Sequence, residues 1–271
     1  MDCAVACAYG GGTIINAIAT GHGAAFPISL KIVAKVCKSD TTEVRTYSQV
    51  DIAPIRQIVE RVGQEFKVGP LSVEFSGDLP TAGGLKSSSA AVNALIRAAA
   101  SLAEVDVDLF QIARLNAQLS KWAGISVTGA FDDAVASAAG RSYLTDNYKM
   151  IVLRELEVGG RAVVLVPPIE KRRYKLEEMK AAAPLVKLAV AYAGLGMWKE
   201  AMLINAAAYG YVLGYPPESV VEAWRRGAVG GVSGTGPSHV FITEDPEGLA
   251  SVLSKFGEVY VVDIPQSPCS I

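Results

Sequence analysis

The first half of the chain carries apolar patterns of both the strand and the helix type. Segments rich in β-branched and small apolar residues predict strands at 3–9, 28–38, 43–47 and 71–75, near 143 and at 151–156. Apolar residues at helical spacing predict helices over 53–66, from the serines at 87–89 to about 103, over 109–122, and shortly after Asp132. The glycines at 10–12 are expected to form a turn after the first strand.

This pattern breaks at Gly159 and Gly160 and then starts again with a buried strand at 161–166, which ends at two prolines. Helices are predicted near 176–190, 197–213 and 218–226, and strands at 239–243 and 258–264. We therefore expect an α+β protein of two domains, 1–158 and 159–271, with a small-molecule site in the cleft between them.

Composition restricts the partners that the chain is expected to have. The net charge of −2 and the lack of a basic stripe argue against nucleic acid, and the short basic run at 171–175 is expected to be a solvated loop. No long apolar stretch predicts a membrane span. The 4 cysteines lack paired spacing and there are only 2 histidines, so we expect reduced thiols, a cytoplasmic location and no His-based metal site. The oligomeric state is left open.

The most informative segment is 77–91, GDLPTAGGLKSSSAA. Here a strand and a proline-glycine turn lead into an alanine-rich helix that begins at three serines. Backbone N–H groups at such a helix start lack intrahelical acceptors, and the helix dipole adds positive charge, so a phosphate group suits this junction. A hydroxyl of Ser87 or Ser88 also suits the Mg²⁺ that accompanies phosphates. The alternative is that the serines only cap the helix.

Two further segments carry candidate chemistry. Residues 227–241, GAVGGVSGTGPSHVF, let backbone N–H groups approach an anion closely, although alone they would be interpreted as a turn. Residues 128–134 supply Asp132 and Asp133 among small and apolar neighbours. Asp132 is our candidate general base, and Asp133 is able to exchange roles with it. Alternatively both are helix N-caps, or one lies near Mg²⁺ if both face one cavity.

Other phosphate-binding loops fit this sequence poorly. A Walker A loop needs a Gly-Lys dipeptide, and the chain contains none. The dinucleotide fingerprint does not match, because the position of its third glycine holds Ile15 after the first glycine run and His239 after the second. P-loop and Rossmann interpretations are therefore disfavoured.

The serine-rich segment resembles the second motif of the GHMP kinases (galactokinase, homoserine, mevalonate and phosphomevalonate kinases), Pro-x-x-x-Gly-Leu-x-Ser-Ser-x-Ala. It departs from the common form at Lys86 and Ser89. Residues 233–238, SGTGPS, resemble the third motif of the same superfamily. The resemblance implies ATP binding by Pro80, Gly83, Gly84, Leu85, Lys86, Ser87, Ser88, Ser89, Ala90, Gly234, Thr235 and Gly236. Lys86 is either a second phosphate contact or a solvated residue of the first helical turn.

Residues 10–26, GGGTIINAIATGHGAAF, resemble the N-terminal signature of archaeal shikimate kinases, as do the segments LKSSSA and TGAFDDA. The resemblance covers nearly the full chain. It implies a GHMP kinase fold, with an N-terminal half like domain 2 of ribosomal protein S5 and a ferredoxin-like C-terminal half. It also implies ATP- and Mg²⁺-dependent phosphorylation of the 3-hydroxyl of shikimate in chorismate biosynthesis, with Asp132 as the base.

Shikimate carries a carboxylate and three hydroxyls, so its site should combine a cation with short polar side chains. The candidates are Arg141, Arg172 and Arg173 for the carboxylate, and Thr13, Asn16 and Thr20 for the hydroxyls. Each arginine has the alternative of being a surface residue. Two other functions stay open: phosphorylation of another small alcohol such as homoserine or mevalonate, and a non-catalytic ligand-binding sensor on the same fold.

Overall fold

The computed structural model describes residues 2–47, 51–80 and 83–271, and its first sheet is built entirely from the first 156 residues. Its strands are β1 (Cys3–Ile15), β2 (His22–Lys38), β3 (Glu43–Arg45), β4 (Leu71–Gly77), β5 (Ser142–Asp146) and β6 (Ile151–Leu156). The long strand β2 is central, because β1, β4 and β5 all pair with it in antiparallel fashion. Two residues of the predicted phosphate loop, 81 and 82, lie outside the described residues.

The predicted turn at Gly10–Gly12 is wrong, since these glycines continue β1 and pair with the start of β2. A Cβ at Gly12 would overlap the ring of Phe26, and one at Gly11 would lie 2.6 Å from the Phe26 carbonyl oxygen. Glycine is required here for close packing rather than for chain reversal. As a result, β1 extends far enough to carry Thr13 towards the second half of the protein.

Four helices cover the first sheet: α1 (Ile52–Glu65), α2 (Ser87–Leu102), α3 (Leu109–Trp122) and α4 (Phe131–Ala139). Helix α2 packs on β1 and β2, and α3 and α4 pack beside it. Its many buried alanines allow close approach to the sheet. Between α2, α3 and α4, Asn116 Nδ2 donates to Asn93 Oδ1 and to the Ser89 carbonyl, both at 2.8 Å, and Asn93 Nδ2 donates to the Ala134 carbonyl at 2.8 Å. These buried bonds fix the helices relative to one another.

The second sheet has the strand order β10, β7, β9, β8 and is antiparallel throughout. Its strands are β7 (Arg161–Val166), β8 (Val229–Val232), β9 (His239–Thr243) and β10 (Glu258–Asp263). The helices are α5 (Leu176–Lys180), α6 (Ala183–Gly194), α7 (Trp198–Leu213), α8 (Glu218–Arg225) and α9 (Pro246–Leu253).

Three elements of the second half differ from the sequence-based prediction. The single helix predicted over 176–190 is two helices, because Pro184 lies in the first turn of α6, where its missing N–H is tolerated. Strand β8 lies inside the glycine-rich segment that was predicted as a loop. Helix α9 was not predicted at all, although Asp245 caps it by accepting from the backbone N–H of Gly248.

The two sheets share no strand, so we propose that the boundary between the halves lies at Gly159 and Gly160. The halves are nevertheless closely joined. One hydrophobic core cluster runs from residues of β1 and α2 into β7 and α7, and the C-terminal tail returns to the first half, where the Ser267 carbonyl lies against Gly140. Among the described residues, the longest and most apolar helices are still too short or too polar to cross a membrane.

The expectation of reduced cysteines is wrong for this structure, which contains the disulfides Cys3–Cys37 and Cys7–Cys269. Spacing along the sequence did not reveal either pair, because both depend on tertiary structure. The antiparallel register of β1 and β2 places Cys3 opposite Cys37, and the returning tail brings Cys269 to Cys7. Disulfides in intracellular proteins are characteristic of hyperthermophiles, so the cysteine content alone does not define a compartment.

The Cys7–Cys269 bridge closes a loop with a sequence separation of 262. We expect Cys7→Ser to lower the free energy of unfolding of the oxidised protein by about 2 to 5 kcal/mol, because the unfolded chain regains the entropy that the bridge removes. Guanidinium denaturation with and without a reductant measures this, and the variant should match wild type once both are reduced. Uptake of four alkyl groups by denatured but unreduced wild type would show that neither bridge forms.

Candidate active site

A cavity of about 280 Å³ opens where the two halves meet. Its wall combines the start of α2, the start of α4, the loop after α3, the turn after β1 and two segments of the second half. The residues that line the cavity include Asn16, Gly83, Gly84, Lys86, Ser87, Ser88, Ser89, Thr128, Asp132, Asp133, Lys171, Tyr174, Gly234 and Thr235. The structure thus brings both predicted glycine-rich segments and both aspartates to one place.

Helix α2 begins at the cavity without a side-chain cap. Its N-cap residue is Lys86, in the left-handed conformation with φ 64°, and the Lys86 side chain makes no capping hydrogen bond. Ser87, Ser88 and Ser89 are therefore the first three helical residues and not caps. The N–H groups of this first turn and the positive end of the helix dipole lie at the cavity wall, as an anion site requires.

The first glycine loop (Gly83–Lys86) lies directly against the second glycine loop (Ser233–Ser238). Ser233 Oγ donates to the Gly84 carbonyl at 2.7 Å, and the Ser238 N–H donates to the Gly83 carbonyl at 3.3 Å. Gly84 has φ +106°, and a Cβ at this position would overlap the Ser233 carbonyl oxygen. Only glycine permits both this conformation and this approach of the two backbones.

Side chains of the first half hold the second glycine loop in place. Thr13 Oγ1 accepts from the Gly234 N–H at 2.8 Å, and Asn16 Nδ2 donates to the Gly234 carbonyl at 2.8 Å. The backbone N–H of Asn16 in turn donates to Asn205 Oδ1 on α7 at 2.8 Å. Thr13 is almost fully buried and is not part of the cavity wall, so its hydroxyl holds the second glycine loop through Gly234. Asn16 does line the wall.

Asp132 lies in the first turn of α4, whose N-cap is Ala130, so neither aspartate is an N-cap. The Asp132 side chain is held by Asn147, which is completely buried and donates from Nδ2 to Asp132 Oδ1 at 2.7 Å. The Thr145 hydroxyl and the Asp132 N–H both donate to Asn147 Oδ1, at 2.7 and 3.1 Å, which fixes the orientation of the amide.

Burial raises the pKa of Asp132 to about 7, and the negative charge of Asp133 adds to this rise. The charge of Lys86 and the hydrogen bond from Asn147 lower the same pKa, but they do not overcome the desolvation. A carboxyl group with a pKa near neutrality, at the wall of a cavity, is suited to accept a proton from a bound hydroxyl.

Asp133 has a different environment, because it is paired with Lys86 across the cavity wall. Lys86 Nζ lies 2.7 Å from Asp133 Oδ1, and both side chains are mostly buried, with 7% and 15% of their surface exposed. Among the described residues Oδ1 has no aligned hydrogen bond, so the attraction is mainly coulombic. Lys86 is thus neither a solvated residue nor a free cation.

The structure separates the sequence-predicted site residues into two groups. The first group lines the cavity: Asn16, Gly83, Gly84, Lys86, Ser87, Ser88, Ser89, Asp132, Gly234 and Thr235. The second group lies outside the cavity wall: Thr13, Thr20, Pro80, Leu85, Ala90, Arg141, Arg172, Arg173 and Gly236. Of these, Leu85 and Ala90 are completely buried in the core and anchor the first glycine loop from behind.

The predicted arginines do not reach the cavity wall. Arg141 pairs with Glu155 at 2.7 Å on a different surface. The Arg172 guanidinium lies 6.0 Å from the centre of the Tyr215 ring, and Arg173 is exposed. Thr20 Oγ1 accepts from the His22 N–H at 3.3 Å. The sequence reasoning identified the right residue types for an anion but had no information on where the side chains point.

Several residues that shape the site were missed by the sequence reasoning. Thr145 lies within the buried strand β5 and Asn147 directly follows this strand, and neither residue matches a motif. Lys171 and Tyr174 lie in the basic run that was expected to be a solvated loop, yet both line the cavity. The one available signal was that this run follows two prolines at the end of β7 and therefore has a fixed direction.

Comparison with known proteins places this geometry in a family. Residues 53–141 match the family model described as GHMP kinases N terminal domain, which includes the first glycine loop and both aspartates. The fold is similar to the crystal structure of homoserine kinase from Cytophaga hutchinsonii, with a TM-score of 0.74 at 16% identity over 98% of this chain and 96% of that one. It is also similar to Methanococcus jannaschii mevalonate kinase, with a TM-score of 0.73 at 12% identity over 97% and 98%. The predicted α+β GHMP kinase fold is confirmed.

Sequence identity to two archaeal relatives is much higher. The chain is 36% identical over 264 residues to shikimate kinase from Pyrococcus furiosus, covering 92% of this chain and 94% of the relative. It is 37% identical over 264 residues to shikimate kinase from Archaeoglobus fulgidus, covering 96% and 92%. The chain therefore belongs to the archaeal shikimate kinase family of GHMP-type, ATP-dependent small-molecule kinases.

Proposed function

We propose that this protein transfers the γ-phosphoryl group of ATP to the 3-hydroxyl of shikimate, giving shikimate 3-phosphate. The observation that carries the proposal is the convergence of an uncapped helix start, two glycine loops and a buried carboxyl group on one cavity. The names of the relatives support shikimate as the acceptor.

The triphosphate is assigned to the start of α2. Backbone N–H groups of Ser87, Ser88 and Ser89 are available to phosphate oxygens, and the glycine loops leave room for a close approach. Gly83, Gly84, Gly234 and Thr235 complete this part of the wall. Leu85, Ala90 and Thr13 support it from behind without contacting the ligand.

The residues present also fit Mg²⁺. Among the described residues no group of three His, Cys, Asp or Glu side chains is arranged to hold a metal by itself. Mg²⁺ usually keeps several waters and binds through phosphates plus one or two protein oxygens. The hydroxyls of Ser87 and Ser88 at the cavity wall are our proposed protein ligands. When bound, the ion would neutralise negative charge on the phosphates.

Asp132 is the proposed general base. Its carboxylate takes the proton of the acceptor hydroxyl while the hydroxyl oxygen forms its bond to phosphorus and the bond to the ADP leaving group breaks. Asn147 acts as a positioning residue, because its amide, fixed by Thr145, holds Asp132 Oδ1 in one orientation. The carboxylate is half ionised near pH 7, which is the useful range for a base.

The acceptor is assigned to the side of the cavity formed by Asn16, Thr128 and Tyr174. These supply polar side chains to the same cavity wall as Asp132, as an acceptor with several hydroxyls requires. Arg141 has no part in this site because it is paired elsewhere.

We expect purified protein with Mg·ATP to phosphorylate shikimate and to leave homoserine and mevalonate unchanged. Asp132→Asn should lower kcat by a factor of roughly 10² to 10⁴, the usual contribution of a general base, because the amide cannot accept the proton. A coupled assay of ADP release measures both results.

Calorimetric binding of ADP provides the control for this experiment, since Asp132→Asn should bind ADP as wild type does. Phosphorylation of none of the three alcohols would contradict the proposed function. Near-normal turnover by Asp132→Asn would instead contradict only the assignment of the base.

Gly84→Ala should abolish detectable nucleotide binding, because the new Cβ would force the two glycine loops apart. Gly160→Ala is a matched control, since Gly160 has φ +94° but no atom within 4 Å of an added Cβ. In both variants the new alanine must adopt a positive φ, which lowers the free energy of unfolding by about 1 kcal/mol or more. Titration with ADP compares them, and equal affinities in the two variants would show that the contact between the loops does not shape the nucleotide site.

The raised pKa of Asp132 predicts the pH dependence of the reaction. The base must be ionised, so kcat/KM for Mg·ATP should rise with pH through about 7 and then level off. Asn147→Ser removes a hydrogen bond that favours the carboxylate and should move this rise to higher pH. A profile that is flat between about pH 5.5 and 8 for wild type, with intact fold by circular dichroism, would contradict this role of Asp132.

A further inference from the structure

Lys171 lines the cavity but has no role in the reaction as proposed above. It lies in the segment between β7 and α5, so it comes from the second half of the protein and reaches over the first glycine loop. A Cβ built at Gly83 would lie 3.1 Å from Lys171 Cδ and 3.6 Å from Cε. The alkyl chain therefore packs on the glycine loop, and the residue forms part of the cavity wall.

The charge of Lys171 lacks a protein counter-ion. No carboxylate of the described chain forms an ion pair with its ammonium group. The other cation of the cavity, Lys86, is neutralised by Asp133. Asp132 is held by Asn147 and carries only part of a negative charge near pH 7. Among the described residues that line the cavity, Lys171 is thus the cation without a paired carboxylate.

The surroundings of Lys171 favour an anionic ligand with several acceptor oxygens. Although the residue as a whole remains exposed, desolvation on its cavity side and the nearby charge of Lys86 both lower its pKa. Because Lys86 is already paired with Asp133, the ammonium group of Lys171 is the cation left for a ligand, and an anion with several acceptor oxygens beside a helix start suits it best. A terminal phosphoryl group meets this description better than a single carboxylate does.

We propose that Lys171 binds the γ-phosphoryl group of ATP and follows it during transfer, opposite the helix start. The proposal rests on the kinase function proposed above and assigns this residue a role within it. A lysine ammonium has three donors on a flexible stem, so it is able to stay with the phosphoryl oxygens as they move from ADP towards the acceptor. Lys171, like Gly234 and Thr235, would bring the second half of the protein to the bound nucleotide, whereas the backbone donors of α2 belong to the first half.

The test compares Lys171→Met and Lys171→Arg with Lys187→Met, a matched loss of charge at an exposed position of α6. Calorimetry in Mg²⁺ gives the Kd for ADP and for the non-hydrolysable β,γ-imido analogue of ATP. Lys171→Met should weaken the analogue by about 10- to 100-fold and ADP by less than about twofold, because only the analogue carries a γ-phosphoryl group. The kcat should fall by roughly 100-fold, and arginine should restore part of both.

Three results would overturn the proposal. The first is that Lys171→Met binds the analogue as tightly as Lys187→Met does. The second is that Lys171→Met weakens the binding of both nucleotides equally. The third is a rise in the KM for shikimate alone, which would make Lys171 a ligand of the acceptor carboxylate. The nucleotide titrations do not depend on turnover. If wild type binds the analogue but phosphorylates no acceptor, the proposed function fails, while the comparison of Lys171→Met with wild type still decides the role of Lys171.

Discussion

The contact between the two glycine loops is the constraint on which the site depends. Ser233 reaches across from the second half to the Gly84 carbonyl, and Thr13 and Asn16 reach back from the first half to Gly234. Because the backbones touch where a Cβ would not fit, the distance between the halves is fixed at this point. The shape of the cavity therefore follows from backbone contacts and buried hydrogen bonds, which vary less than contacts between long side chains.

The start of α2 shows how local stability is given up at this site. A serine, threonine or aspartate at the N-cap would stabilise the helix by about 0.5 to 2 kcal/mol, and a left-handed lysine costs about 1 kcal/mol or more. Lys86 provides no side-chain cap and also adopts this unfavourable left-handed conformation. A capping side chain would, however, occupy the same N–H groups that a phosphate needs. The lysine also turns its ammonium group towards Asp133, so the unfavourable backbone position serves the charge balance of the cavity.

The parts of the molecule that sequence reasoning predicted well are those in which function depends on neighbouring residues. Both glycine loops and Asp132 lie within short motifs, so they could be selected from the sequence, and the structure brings them to one cavity. The turn predicted at Gly10–Gly12 was wrong because a run of glycines usually indicates a turn. To recognise it as part of a strand, one must know the partner strand and the bulky neighbour Phe26. Asn147 and the partners of the cysteines depend on which distant segments meet. No local pattern carries that information, and the same holds for the direction of an arginine side chain.

The structure also supports a choice between the two adjacent aspartates, which the sequence alone left open. Neighbouring positions of one helical turn place the carboxyl groups in opposite environments: Asp133 faces Lys86, whereas Asp132 is buried against Gly23 and held by the neutral amide of Asn147. A carboxylate that is paired with a cation is a poor proton acceptor, since protonation would leave the cation uncompensated. A buried carboxylate with no cation of its own gains from being protonated, and the charge of Asp133 strengthens that tendency. We therefore propose that Asp133 neutralises Lys86 and raises the proton affinity of Asp132, and that Asp132 is the group that takes up the proton.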